Sequence, residues 1–259
     1  MTEFKVLGGF EVTDGGHDFT PSAPKLRQVL AALVLHASQV VHTDLLIEEL
    51  WGDDPPKSAT TTVRTYMYHL REGFARQPAA NMLVTRQPGY LLRIEPHRID
   101  LNIFQQLAQQ GRNELAHGRP GEASQFLRKA LDLWTGPALV DVNHGPVLRA
   151  RVVALEELRL HALELRIQAD FALGLHRGVI GELRSLVVQH PLNEWFRARL
   201  IDALGRAGRR NEALDAYMDL RNVMNTELGL EPGPELQRLQ RQLLTAGHLP
   251  AEIPAVAAG

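Results

Sequence analysis

The chain has 259 residues, 44% hydrophobic and 22% charged, which suffices for two domains with ordinary cores. It has no cysteine, which excludes disulfides and thiolate chemistry and fits a reducing cytoplasm, and the start of the chain shows no apolar signal segment. The longest strongly apolar run, Val29–Leu35, is too short to cross a bilayer, and the formal net charge of −2 gives nucleic-acid binding no support by itself.

The first segment alternates, with Phe4, Val6, Phe10 and Val12 on one side and Lys5 and Glu11 on the other. That is a strand, interrupted by a bend or bulge at Gly8-Gly9. Asp14-Gly15-Gly16 signals a hairpin turn, with a return strand around Asp18–Thr20. Pro24 then stands near the start of a helix whose Leu26, Val29, Leu30, Leu33 and Val34 recur at helical spacing. Thr43 is the expected N-cap of a second helix that carries Leu45, Leu46, Glu49 and Leu50 and closes at Trp51-Gly52. After Pro55-Pro56, Ser58 caps a third helix with Val63, Met67, Leu70 and Phe74 on one stripe. Its other face carries Thr61, Thr65, Tyr68 and His69, flanked by Arg64 and Arg71. Two β-rich runs, Leu83–Arg86 and Tyr90–Ile94, enclose Pro88-Gly89, read as a turn with Pro at the second position and Gly at the third. Strands, three helices and a closing hairpin make a winged helix-turn-helix, whose third helix enters the major groove while the hairpin touches the backbone or adjacent minor groove.

Charge is distributed to match. Residues 1–97 hold nine basic against eleven acidic side chains, but Lys57, Arg64, Arg71, Arg76, Arg86 and Arg93 are opposed over their span only by Glu72. A local basic field on a near-neutral protein is the electrostatic footprint of a DNA reader, although a solvated face has the same composition.

Long, ordered motifs carry a family resemblance. Val6-Leu7-Gly8, Pro24-Lys25-Leu26-Arg27-Gln28-Val29-Leu30, the run from Glu48 through Trp51-Gly52 to Pro56, Tyr66–Arg71 and Val84–Leu92 resemble the SARP family, the Streptomyces antibiotic regulatory proteins. The resemblance implies an N-terminal domain of the OmpR winged-helix type. It places Trp51 on a phosphate, and Arg64, Thr65 and His69 toward bases. Tyr66, Tyr68 and Arg71 would meet the backbone, Thr85 and Arg86 would act from the wing, and Thr61, Thr62, Lys25 and Arg27 complete the candidate set. Trp51 can equally close the core, and Tyr66 lies beside the apolar stripe. OmpR-like helices usually carry Arg where this chain has His69, and a neutral His cannot make the bidentate contact of Arg to guanine.

The remainder repeats itself. Gly118-Arg119-Pro120-Gly121-Glu122-Ala123 is echoed by Gly208-Arg209-Arg210-Asn211-Glu212-Ala213, and Gly174 precedes Gly208 by 34 residues, the period of tetratricopeptide helical hairpins. The spacing of 56 from Gly118 to Gly174 exceeds that period by 22, an insertion placed around Thr135–Arg149. Each glycine is read as allowing close approach of two helices. Expected stripes are Phe104, Leu107, Ala108, Gly111 and Leu115 against Ala123, Phe126, Leu127, Ala130, Leu131 and Trp134. Further on, Phe196, Leu200, Leu204 and Ala207 face Ala213, Ala216, Tyr217, Leu220 and Met224. Leu133–Leu139, Leu155–Leu160, His190-Pro191-Leu192 and Glu227–Leu236 resemble the bacterial transcriptional activation domain of SARP proteins.

The expected fold class is therefore mainly α: a winged helix-turn-helix (α+β) over 1–97, an all-α tetratricopeptide-like repeat domain over 98–247, and a disordered tail over 248–259. No nucleotide-binding glycine loop, His-Glu-x-x-His helix or nucleophile elbow is present, so an enzyme is not expected, nor a metal or other cofactor. The resemblance implies a cytoplasmic, nucleoid-associated activator of an antibiotic or secondary-metabolite gene cluster. It would bind direct repeats in double-stranded DNA as a homodimer, without any membrane partner. It would recruit RNA polymerase holoenzyme, including its sigma factor. The rival is an interaction protein whose winged helix docks another protein, and a gel shift against competitor DNA separates the two.

Overall fold

A computed structural model of the chain describes residues 2–75 and 81–245. Arg76 and the tail expected to be disordered lie outside the described residues. The chain divides into two compact units, 1–166 and 167–259, with the boundary inside a long helix.

The first unit opens with a three-stranded antiparallel sheet of β1 (Thr2–Lys5), β2 (Glu11–Asp14) and β3 (His17–Asp18). Phe4, Val6, Phe10 and Val12 are all buried, as their alternation requires. They do not share one strand, however. The chain reverses at Val6–Phe10, so that Lys5 pairs with Glu11. The reason is tertiary: this loop gives its backbone to a later segment, with Thr135 N–H bonding Leu7 O at 2.9 Å, Leu139 N–H bonding Val6 O, and Val140 N–H bonding Gly8 O. The two-residue turn at Gly15-Gly16 stands as expected, with φ of +57° and +84°.

Helix α1 (Pro24–Leu35) starts on its proline and buries the run Gln28–Val34. A strand that the sequence reading missed follows, β4 (Val40–His42), three residues that carry too little alternation to be seen. Then come α2 (Thr43–Trp51), α3 (Ala59–Ala75), β5 (Leu83–Arg86) and β6 (Gly89–Leu92), the strands joined in the order β4-β6-β5. Two local expectations are corrected. Thr43 is the first helical residue, not the cap, because its hydroxyl donates to Pro88 O at 3.2 Å; His42 occupies the cap position. Arg86 pairs with Gly89, which makes Gln87 and Pro88 the central residues of the wing turn, with a cis bond between them. Gly89 is needed for contact: a Cβ there would lie 1.8 Å from the carbonyl oxygen of Val41 on β4.

Beyond a short 3-10 turn at Pro96–Arg98, α4 (Asp100–Ala116) and α5 (Pro120–Leu131) form the first helical hairpin, with Gly111 fitted against Leu127. Helix α6 (Pro146–Ala172) contains the unit boundary. The winged helix is fastened to 98–148 by three carboxylates. Asp100 accepts the N–H groups of Val6, Leu7 and Leu101 at 2.7–3.0 Å. Asp141 accepts Phe10 N–H at 2.7 Å and pairs with Arg27 at 2.7 Å. Glu49, 1% exposed on α2, accepts from Gln28 Nε2 and from the N–H groups of Gly145 and Leu148 at the start of α6. A hydrogen bond to a charged group is worth about 1.5–3 kcal/mol, and the N-terminus of a helix favours a carboxylate. The expected 22-residue insertion is thus the strip that clasps the winged helix.

The second unit holds α7 (His176–Gln189), α8 (Glu194–Arg206), α9 (Arg210–Leu228) and α10 (Pro234–Thr245), each packed on its sequence neighbour and α8 also on α10. Phe196, Leu200 and Leu204 are buried with Ala213, Tyr217, Leu220 and Met224, as the stripes predict, while Ala207 and Ala216 are half-buried. The repeat glycines take one conformation throughout the chain: Gly118, Gly174 and Gly208 have φ of +71°, +75° and +78°. In each turn the next residue closes back five positions, Arg119 to Glu114, Leu175 to Asp170 and Arg209 to Leu204. These are left-handed C-terminal caps. Nothing lies within 4 Å of a Cβ added at any of the three, so backbone conformation, not the close approach expected from the sequence, selects glycine there.

Candidate nucleic-acid interface

Helix α3 buries Val63, Met67, Leu70 and Phe74 and leaves Thr61, Arg64, Thr65, Tyr68 and His69 exposed. The amphipathic pattern alone dictates this, since four apolar residues on one stripe leave the other face to solvent. The Arg64 side chain makes no hydrogen bond or ion pair with any described residue, and neither does that of Arg86 at the wing tip, where Thr85 and Gln87 are also exposed. Thr62 and Thr65 donate their hydroxyls back to the carbonyls of Ser58 and Thr61, leaving oxygen lone pairs outward.

Farther along the helix the surface changes sign. Tyr68 Oη donates to Glu72 at 2.9 Å, which pushes the phenol pKa up, and His69 Nδ1 stands 3.7 Å from the same carboxylate. The exposed basic and hydroxyl groups therefore concentrate on the N-terminal half of α3, the half that contacts base edges in helix-turn-helix proteins. No acidic residue stands in its first turn, so the positive end of the helix dipole is unopposed.

Several candidates are engaged within the protein. Arg71 donates from Nε to Leu83 O and from Nη2 to Thr85 Oγ1 at 2.7 Å, and its guanidinium lies 6.0 Å from the Tyr90 ring, so it braces the wing against α3. Lys25 Nζ donates to Leu50 O at the end of α2, 6.0 Å from the Trp51 ring centre, and Trp51 is half-buried. Trp51 is thus packed on one side and open on the other. Tyr66 is half-buried at the edge of the apolar stripe. Arg27 bonds Asp141 and Pro21 O and so faces the helical strip. The sequence reading named Glu49 only as an apolar-face member of its helix. Its burial beside Leu46 and Leu50 was the available signal, since an acid on a buried stripe must find donors.

Among the described residues no cluster of His, Asp and Glu could hold a metal ion, and no helix is long and apolar enough to cross a membrane.

Comparison with known proteins bears on the same geometry. Residues 20–92 match the family described as transcriptional regulatory protein, C terminal, and residues 99–244 match the bacterial transcriptional activator domain. Regulatory protein DnrI of Streptomyces peucetius is 41% identical over 251 residues, covering 94% of this chain and 92% of the relative. Regulatory protein AfsR of Streptomyces griseus is 37% identical over 97% of this chain, which spans 26% of that longer protein. Among solved structures, Mycobacterium tuberculosis EmbR in complex with a low-affinity phosphopeptide superposes with a TM-score of 0.87 at 33% identity, over 94% of this chain and 65% of that one.

Proposed function

Because the chain belongs to the SARP family, whose members are transcriptional regulators and not enzymes, we propose that it activates an antibiotic or secondary-metabolite gene cluster from direct repeats upstream of promoters. The observation that carries the reading is the pair of arginines without a side-chain partner among the described residues, Arg64 on the exposed face of α3 and Arg86 at the wing tip, with Arg71 and Thr85 forming a brace between helix and wing. Arg64, Thr65 and His69 read bases, with Thr61, Thr62 and Tyr68 at the margin of the helix. Arg86 and Trp51 hold phosphates, Lys25 supports Trp51, and Arg71 and Thr85 set the angle of the wing. Tyr66 contributes mainly to packing, and Arg27, committed to Asp141, drops out of the interface. The domain division at 97/98 belongs to the same proposal: a reading head over 1–97 and a helical partner surface over 98–247.

Two protomers lie head to tail on the repeats, and the helical domain recruits RNA polymerase holoenzyme, with the sigma factor as one contact. Weak contacts suffice, because tethering both partners to one DNA raises their effective concentration to roughly millimolar. The protein works in the cytoplasm, at the nucleoid. Footprinting on promoters beside the chain's own gene, followed by transcription with purified polymerase, tests this. Protection of direct repeats with stimulated transcription is expected; absence of protection against competitor DNA would replace it with the protein-docking reading.

A further inference from the structure

The C-terminal half of α3 borders a cleft of about 230 Å³, walled also by α1 and by the segment that follows β3. Phe19 comes from that segment, Leu26 and Leu30 from α1, and Leu70 and Phe74 from α3. Leu30, Leu70 and Phe74 are 1%, 4% and 5% exposed and belong to the core, whereas Phe19 is 38% exposed, a ring that the fold covers only in part. Two polar side chains join them, the Ser22 hydroxyl and the His69 imidazole, and no Lys, Arg, Asp or Glu lines the cleft. Charged groups adjacent in sequence have partners elsewhere: Lys25 with Leu50 O, Arg27 with Asp141, and Glu72 with Tyr68.

Gly73 completes the wall on the α3 side. A Cβ added there would meet nothing within 4 Å, so no neighbour fills the place of the missing side chain. Residues four apart share a helix face, which sets Gly73 beside His69 and Phe74 beside Leu70. Water suits such a place poorly, because a held water wants several polar partners and the lining side chains offer two. An apolar cavity of about 150 Å³ accepts a benzene ring. The larger volume here has room for one ring and a small substituent.

We propose that this cleft binds a small uncharged aromatic molecule, a single ring carrying a hydroxyl, and that its occupancy is linked to DNA reading through His69. The ring packs against Phe19, Leu30 and Phe74, and the hydroxyl bonds to Ser22 or His69. Apolar walls with a few placed polar groups are the usual make-up of a small-molecule site, and aromatic walls favour an aromatic guest. His69 lines the cleft and also stands on the exposed face of α3. A bound molecule therefore restrains its ring, and ligand and DNA must each change the other's affinity by the same factor. That link rests on the proposed base-reading role of His69; the binding itself does not. A protein laid over the cleft would have to share His69 with the duplex, whereas a molecule of this size fits within the walls.

The test titrates the full chain, without DNA, by calorimetry and thermal melting with p-cresol, toluene and benzoate. Saturable binding of p-cresol is expected, with toluene weaker for want of the hydroxyl and benzoate excluded by its charge. Gly73→Leu and Leu26→Phe fill the cleft from two walls and should each weaken p-cresol about tenfold or more. Leucine is a better helix former than glycine, so Gly73→Leu should melt no lower than wild type, which keeps lost binding distinct from lost folding. Gly181→Leu, at a glycine of α7 whose added Cβ also meets nothing within 4 Å, should leave binding unchanged. No saturable binding of p-cresol, equal binding of toluene or benzoate, or wild-type binding by both filled variants would overturn the proposal. Gel shifts on the footprinted repeats then test the link: saturating p-cresol should change DNA affinity about fivefold or more. Unchanged DNA affinity beside intact calorimetric binding would overturn the link to His69.

Discussion

Arg64 and Arg86 look alike in the sequence, yet they sit on different elements and should fail in different ways. Arg64→Ala should cost about 1–3 kcal/mol on the specific site and relax base preference there, the signature of a lost base contact. Arg86→Ala should weaken specific and non-specific DNA alike and reduce the salt dependence by about one charge. Quantitative gel shifts at several salt concentrations separate them; identical behaviour of both variants would remove the assigned roles. Asp100 offers a second prediction at this scale. Burial pushes its carboxyl above the ordinary 3.8, against the pull of the Leu7, Val6 and Leu101 N–H groups and Lys5. A folded pKa raised above the unfolded one means that the folded state binds the extra proton. Stability from this group is therefore greatest at acid pH and declines as pH rises from 3.8 through the raised value. Denaturant midpoints of wild type and Asp100→Asn, compared from about pH 4 to 6, should show the wild-type advantage shrinking with pH. An advantage that grows instead would contradict the sign.

At the scale of elements, two kinds of glycine give two kinds of defect. Gly174→Ala places a side chain at φ +75° in open space, so it should cost about 1–2 kcal/mol through backbone conformation alone. Gly145→Ala would put a Cβ 1.9 Å from the carbonyl oxygen of Glu49, against backbone that cannot swing aside. It should cost at least the roughly 1–3 kcal/mol of an overpacked core and disturb the Glu49 contacts to α6. Thermal unfolding measures both, and an equal loss in the two variants would show that the junction with α6 yields more easily than its geometry suggests. The wing is another element defined by its neighbours. Leu83–Arg86 and Gly89–Leu92 form a hairpin, but its turn is settled by pairing with β4 and by the Thr43 bond to Pro88 O.

For the whole molecule, the clasp bears on how the reading head can be separated. A chain ending near Pro96 loses Ile99, which bridges Phe4, and every partner that Glu49 finds at Gly145 and Leu148. It should melt well below the full chain and bind DNA poorly, whereas a chain ending at Arg166 keeps the first compact unit and should retain DNA affinity while losing activation. Circular dichroism and gel shifts on the two truncations check this; a stable, fully binding 1–96 fragment would show the clasp to be dispensable. On DNA, head-to-tail protomers require half-sites about one turn, 10–10.5 bp, apart, so adding about half a turn between repeats should abolish cooperative binding. Tolerance of the insertion would mean independent monomers.

What the amino-acid sequence determined alone is whatever local periodicity encodes. The apolar stripe of α3 and therefore its exposed Arg64 face, the Gly15-Gly16 hairpin, and the repeat of Gly118, Gly174 and Gly208 are all short-range patterns that steric and burial rules read directly. Tertiary structure alone decided where polar groups found their partners. Gly8-Gly9 became a reversal because residues 135–141 compete for its backbone, Arg27 paired with Asp141, Arg71 became a brace, and Glu49 was buried against α6 across 96 residues of sequence. Hydrogen-bond partners distant in sequence leave no periodic trace, since one acceptor can be satisfied by any donor that folding brings within 3 Å or so of it.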